Sequence, residues 1–168
     1  MDRFTVSLFG HREILDLGRL EKQAFSLVRE IIRKKAYTTF LIGRNGEFDT
    51  YTASIIKRAQ KAMGEENSEC ICVLPYPKKD MEYYENYYDG IIIPECTEGF
   101  HPKSAILRRN RWMVEEADLL IFYVERKEGG AYTAFQYAKS LNKKIINLAE
   151  KPQEDEELTW GVPLWRDL

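Results

Sequence analysis

RNRWMVEEADLLIFYVERKEGGAYTAFQYA, residues 109–138, is the stretch that decides the fold. At its centre ADLLIFYV (117–124) is the most hydrophobic run of the chain. It is too short to cross a membrane, and flanking charges bound it, so it reads as a parallel strand buried on both faces. We expect it at the centre of the sheet. Before it, HPKSAILRRNRWMVEEA (101–117) reads as a helix entered through Pro102, where a missing N–H costs nothing. After it, paired glycines open a second helix at 130–142. Ala131, Ala134, Phe135, Ala138 and Leu141 face inward there, and Asn142 serves as C-cap.

Working outward, the same alternation continues. RFTVSLFG (3–10), TTFLIG (38–43), CICVLP (70–75), GIIIP (90–94) and KIINLA (144–149) read as strands. Between them lie helical patterns at 15–35, with Leu17, Leu20, Ala24, Leu27, Val28, Ile31 and Ile32 in register, and at 50–63. Strands alternating with helices imply an α/β chain. The expected fold is Rossmann-like and doubly wound, a mostly parallel sheet with helices on both faces. Residues 1–149 read as one domain. The tail, 150–168, begins as an acidic loop and ends in TWGVPLW, whose Trp160 and Trp165 are expected to dock on the domain or on a partner chain.

Composition narrows the function classes. The 168 residues are 44% hydrophobic and 31% charged, as in ordinary globular proteins, and the formal charge is −2. No cationic excess exists to grip nucleic acid or an anionic membrane, so neither is expected as a partner. The start, MDRFTVSLFG, reads as a strand, not a signal peptide. Of three cysteines, none in a CxxC pair, Cys70 and Cys72 fall on one face of a buried strand and fit core thiols in a cytoplasmic protein. With two histidines and no HExxH, no metal is expected, and no cofactor.

In a doubly wound sheet, ligands bind beyond the carboxyl ends of the strands. Three such ends, and one helix, carry candidate residues. Gly10-His11-Arg12 follows the first strand and reads either as an anion-facing turn or as a plain surface turn. GRNGEFDT follows the second, where Gly43, Asn45 and Gly46 would let the backbone approach a ligand. Asp49 there is either a helix N-cap or an acceptor for ribose hydroxyls. In Arg108-Arg109-Asn110-Arg111, Arg109 and Arg111 are candidates for phosphate pairing, against the alternative of a solvated basic face balanced by Glu115 and Glu116. Gly129 and Gly130, with Thr133, open a helix straight after the central strand, a phosphate-cradling arrangement. Acid–base candidates for a catalytic variant are Glu47, Asp49, Glu115 and Glu128. Tyr83, Tyr84, Tyr87 and Tyr88 offer either a stacking surface or rings packed on the sheet edge.

Taken together, GHR, GxxGEFD, LPYP and the 109–138 block resemble the YpsA-like proteins of the SLOG superfamily, relatives of the Lonely-guy phosphoribohydrolases. The resemblance spans about residues 4–148. It implies a Rossmann-like fold, a nucleotide or nucleotide-derived ligand, and a homodimer or higher homo-oligomer. In the phosphoribohydrolases the cradle reads PGGxGTxxE, and its Glu acts with an Arg of the preceding helix. Here Gly129, Gly130 and Thr133 match and Arg109 matches the Arg. Glu128 stands for the Pro, Tyr132 for the third Gly, and Gln136 for the catalytic Glu. Cleavage of an N-glycosidic bond develops positive charge that a carboxylate stabilises and an amide does not. The expectation is therefore binding or sensing of a nucleotide. The alternatives are N-glycosidic hydrolysis or transfer using other carboxylates, and a non-catalytic protein-interaction module.

Overall fold

A computed structural model of the chain describes residues 2–150. The expected docking of Trp160 and Trp165 lies outside the described residues. The elements follow one another as β1 (Arg3–Gly10), α1 (Leu17–Lys34), β2 (Tyr37–Ile42), α2 (Glu47–Met63), β3 (Ser68–Val73), α3 (Met81–Tyr87), β4 (Gly90–Ile92), α4 (Pro102–Glu116), β5 (Leu119–Tyr123), α5 (Gly129–Ser140) and β6 (Ile145–Asn147). Short 3-10 turns at Glu65–Asn67 and Glu95–Thr97 precede β3 and α4. All strand pairs are parallel, in the order β4-β3-β2-β1-β5-β6. The doubly wound α/β expectation holds.

Alternate residues of each strand feed two cores. Val6, Leu8, Phe40, Ile42, Cys70, Cys72, Leu119 and Ile121 pack with the apolar stripes of α1 and α2. Phe9, Leu41, Ile71, Val73, Leu120 and Phe122 pack with Met113 and Val114 of α4 and with Ala134 and Ala138 of α5. Period-2 alternation between two buried faces is what a sheet covered by helices on both sides requires. Cys70 and Cys72 share the first core, as expected, and burial pushes both thiols up, that of Cys72 to about 12, which disfavours the reactive thiolate.

The two middle strands of the sheet are β2 and β1, not β5. Strand β1 pairs with β2 on one side and β5 on the other, while β5 stands one place from the edge. Hydrophobicity reports that both faces of a strand are covered; lateral position follows from the order in which the chain returns to the sheet. The tyrosines of α3 stack among themselves, Tyr83 on Tyr87 and Tyr84 on Tyr88, and Tyr84 and Tyr88 join the first core. Tyr84, Tyr87 and Tyr88 form a packed edge, as the second of the two sequence readings had it, while Tyr83 stays half exposed with Arg44 over its ring.

Candidate functional site

The strand order reverses at β1, and the crevice between the carboxyl ends of β1 and β5 is where a ligand enters such a sheet. A cavity of about 340 Å³ opens at this place. The ends of β1 and β2 form its floor, α4 one wall, and the start of α5 its far rim.

Arg109 lies at the floor. Its spacing with Ile106, Asn110 and Met113 puts all four on one face of α4, which turns Arg109 inward while Arg108 and Arg111 stay exposed. Arg109 is only 2% exposed. Its Nη1 donates to Val73 O (2.7 Å) and its Nε to Asn110 Oδ1 (2.8 Å). The orientation of the Asn45 amide that satisfies both its ends has Oδ1 accepting from Arg109 Nη2 at 2.8 Å. None of these partners carries charge. Among the described residues no carboxylate lies within 4.0 Å of the guanidinium. Burial pulls its pKa down from the ordinary arginine value, and Asp49 opposes that pull.

Asp49 faces Arg109 across Gly43. A Cβ placed on Gly43 would stand 3.0 Å from Arg109 Nη1 and 3.1 Å from Asp49 Oδ2, so the glycine leaves room for both charged groups. The helix begins earlier than expected, at Glu47, with Gly46 in the cap position. Asp49 is thus not an N-cap. It is the third helical residue, and its Oδ2 accepts from the N–H of Asn45 at 2.8 Å. Desolvation pushes its carboxyl above the usual range, against the Asn45 bond and Arg109.

His11 lines the cavity, but not as a cation. It is 5% exposed, and its Nε2 accepts from the backbone N–H groups of Glu125 and Arg126, both at 3.1 Å. Two donors on Nε2 assign the proton to Nδ1. The imidazole therefore ties the β5–α5 loop to the end of β1. Burial lowers its pKa below 6.5, helped by Arg126, with Glu125 and Glu128 opposing. Protonation would turn the acceptor into a third donor. The sign follows: an unfolded chain takes up the proton near pH 6.5, the folded one only lower. Stability supplied by neutral His11 is full above pH 6.5 and is lost as pH falls toward the lowered folded value. We expect acidification from pH 7.5 to 5.5 to cost wild type on the order of 1 kcal/mol more than it costs His11→Gln, the scale of a neutral hydrogen bond. Melting temperatures of the two proteins at both pH values test this; parallel curves would refute it.

The remaining candidates divide. Gly10, Arg12, Gly43, Asn45, Glu128, Gly129 and Gly130 line the cavity. Gly129 adopts φ +87°, which a side chain would strain, and turns the chain into α5. Gly46 lies behind it, packed so closely that a Cβ would stand 2.5 Å from Arg12 Cα. Glu47 points away and accepts from Ile14 N–H at 2.8 Å, bracing the loop after β1. Thr133 Oγ1 donates to Gly129 O, and Thr133 and Arg111 line a neighbouring groove instead. Glu115 accepts a hydrogen bond from Tyr137 OH on the far side of α4. Gln136 is exposed, and its amide donates to Tyr132 OH. Sequence reasoning did not single out Ile106, Asn110, Met113 or Arg126, which also line the cavity. The three- and four-residue spacing around Arg109 carried that signal for the first three. Among the described residues no group of three or more metal-ligating side chains exists, and no helix is long and apolar enough to cross a membrane.

No protein-family model matches the chain, and no curated protein does. Solved structures do. DNA processing protein A from Streptococcus pneumoniae superposes with a TM-score of 0.62 at 14% identity, over 84% of this chain and 49% of that one. DNA processing protein A from Helicobacter pylori, described with its single-stranded DNA binding mode, gives 0.58 at 16%, over 84% and 63%. The molybdenum cofactor binding protein of Rippkaea orientalis gives 0.57 at 18%, over 88% and 77%. The chain thus spans about half to two thirds of the length of the two DNA processing proteins. These likenesses establish a Rossmann-like α/β fold and are consistent with the YpsA-like resemblance drawn from the sequence.

Proposed function

We propose that the cavity binds a nucleotide or nucleotide-derived small molecule through its phosphate. The observation that carries this reading is Arg109: a nearly buried guanidinium on the cavity floor whose hydrogen-bond partners are all neutral. Burying a cation without a paired carboxylate is expensive, and an anionic ligand offsets that cost. The glycine pair at the start of α5 adds backbone donors and the positive end of a helix. Asp49, Asn45 and Gly43 then face the sugar side. The structural neighbours include one protein that binds single-stranded DNA and one that binds a molybdenum cofactor. Ligand capture on this fold is therefore compatible with several phosphate-bearing partners, nucleic acid among them.

A thermal-shift panel of nucleoside mono-, di- and triphosphates, free nucleosides and a short single-stranded oligonucleotide tests the reading. At about a hundred times its dissociation constant a ligand adds roughly 2.7 kcal/mol, which raises the melting temperature of a domain this size by about 5–10 °C. Shifts confined to phosphorylated compounds are expected. No shift with any nucleotide would end the proposal, and a shift with the oligonucleotide alone would redirect it to nucleic acid. A second reading, glycosidic hydrolysis or transfer, draws on Asp49, whose raised carboxyl lies in the cavity beside Arg109. Chromatography for released base decides it, and base release that survives Asp49→Asn would remove Asp49 from that role.

A further inference from the structure

The candidate cavity does not end at the start of α5. Beyond Gly130 a second space of about 320 Å³ opens between α4 and α5, and Ile106, Asn110 and Gly130 belong to the walls of both. Gly130 forms the neck: a Cβ placed there would come within 3.7 Å of Asn110 Nδ2, so the helices pass closely and the missing side chain keeps the passage wide. Each space alone is near the lower bound for a small-molecule pocket.

The chemistry of the second space differs from that of the first. Leu107, Ala134 and the ring of Tyr137 give it apolar walls, and Lys103 and Arg111 stand at its edge. No carboxylate lines it. The Tyr137 ring is held in place from two sides: Arg111 Cζ lies 5.4 Å from its centroid, and its hydroxyl donates to Glu115. A fixed aromatic wall with an adjacent cation is suited to a planar ring joined to an anionic linker.

We propose that the site takes a dinucleotide-type ligand, two ring-bearing units joined through phosphates. The first nucleoside occupies the floor beside Asp49, the phosphate linker runs from Arg109 across the neck over Gly129 and Gly130, and the second ring lies against Tyr137. This rests on the nucleotide reading above and extends it to the length and shape of the ligand. Thr133 and Arg111, which lie outside the first cavity, then contact the distal half.

Calorimetric titration of the full chain with AMP and with NAD tests the inference. NAD is expected to bind at least about tenfold more tightly than AMP. Leu107→Glu places a carboxylate in the second space at a position 40% exposed, where the fold does not depend on it. It is expected to weaken NAD about tenfold or more and to leave AMP within about twofold. Lys103→Glu, at the exposed edge, is expected to act in the same direction and guards against a local packing effect of the first variant. Equal affinities for AMP and NAD, or equal losses of both in either variant, would overturn the two-unit ligand while leaving the nucleotide reading intact. Binding of neither compound would overturn both.

Discussion

Arg109→Met is expected to abolish the preference for phosphorylated ligands. The guanidinium spends three of its donors on Val73 O, Asn110 Oδ1 and Asn45 Oδ1, all neutral, and Asp49 faces it without an ion pair, so its charge is only partly balanced before an anion enters the cavity. A hydrogen bond to a charged group is worth about 1.5–3 kcal/mol, which corresponds to roughly ten- to a hundredfold in affinity. Nucleoside monophosphate binding should weaken by that factor, while a free nucleoside changes little. The substitution also leaves the carbonyl of Val73 without its donor but removes a buried charge, so the two effects on stability oppose each other. Arg109→Lys separates charge from geometry: it keeps the cation but loses the planar fork that reaches three acceptors together. Its affinity for the phosphorylated ligand is expected to fall between those of wild type and the methionine variant. Isothermal titration with a nucleotide and its nucleoside measures all of this, and equal loss for the two ligands would exclude a phosphate role for Arg109.

The sequence disclosed the elements more fully than their arrangement. Short apolar runs located β1, β2 and β5, the first two of them ending in glycine, because a strand buried on both faces has little room for polar alternation. The same logic misplaced β5 at the centre. β1, which carries Arg3, Thr5 and Ser7, is central because the chain leaves it in one direction for β2, β3 and β4 and returns on its other side for β5. Glycine-rich turns marked three cavity loops, since tight turns and close backbone approach need glycine whatever the surrounding fold. What the backbone then does with polar side chains was not legible. RRNR reads as a basic surface in one dimension; Arg109 goes to the floor because it shares the face of α4 that carries Ile106 and Met113, while Arg111 stays exposed. His11 reads as a ligand group beside Arg12; its partners are backbone amides more than a hundred residues away.

Gly10→Ala is expected to be the most damaging small substitution in the described chain. Gly10 ends β1, pairs with Tyr123 of β5 and lines the cavity, so fold and site meet there. The sequence suggests a residue needed for a tight turn, yet its φ is not among the positive values of the chain. The reason for glycine is instead Phe48, which is fully buried at the start of α2: a Cβ on Gly10 would stand 2.1 Å from its Cγ and 2.7 Å from its Cβ. Contact with the ring's base leaves no flexible end to swing aside, so either α2 shifts or β1 does. Overpacking of this kind costs about 1–3 kcal/mol, occasionally more, and here the upper end applies. The melting temperature should drop by about 5–10 °C. Displacing α2 also moves Asp49 and the Gly43–Gly46 loop, so nucleotide binding should weaken with it. The control is a double-mutant cycle with Phe48→Ala. That variant alone costs about 3–5 kcal/mol through the cavity it leaves. In the pair the added methyl enters vacated space, so the combined loss should fall short of the sum by at least about 1 kcal/mol. Strict additivity would show that Gly10 is kept for a reason other than the ring packed against it.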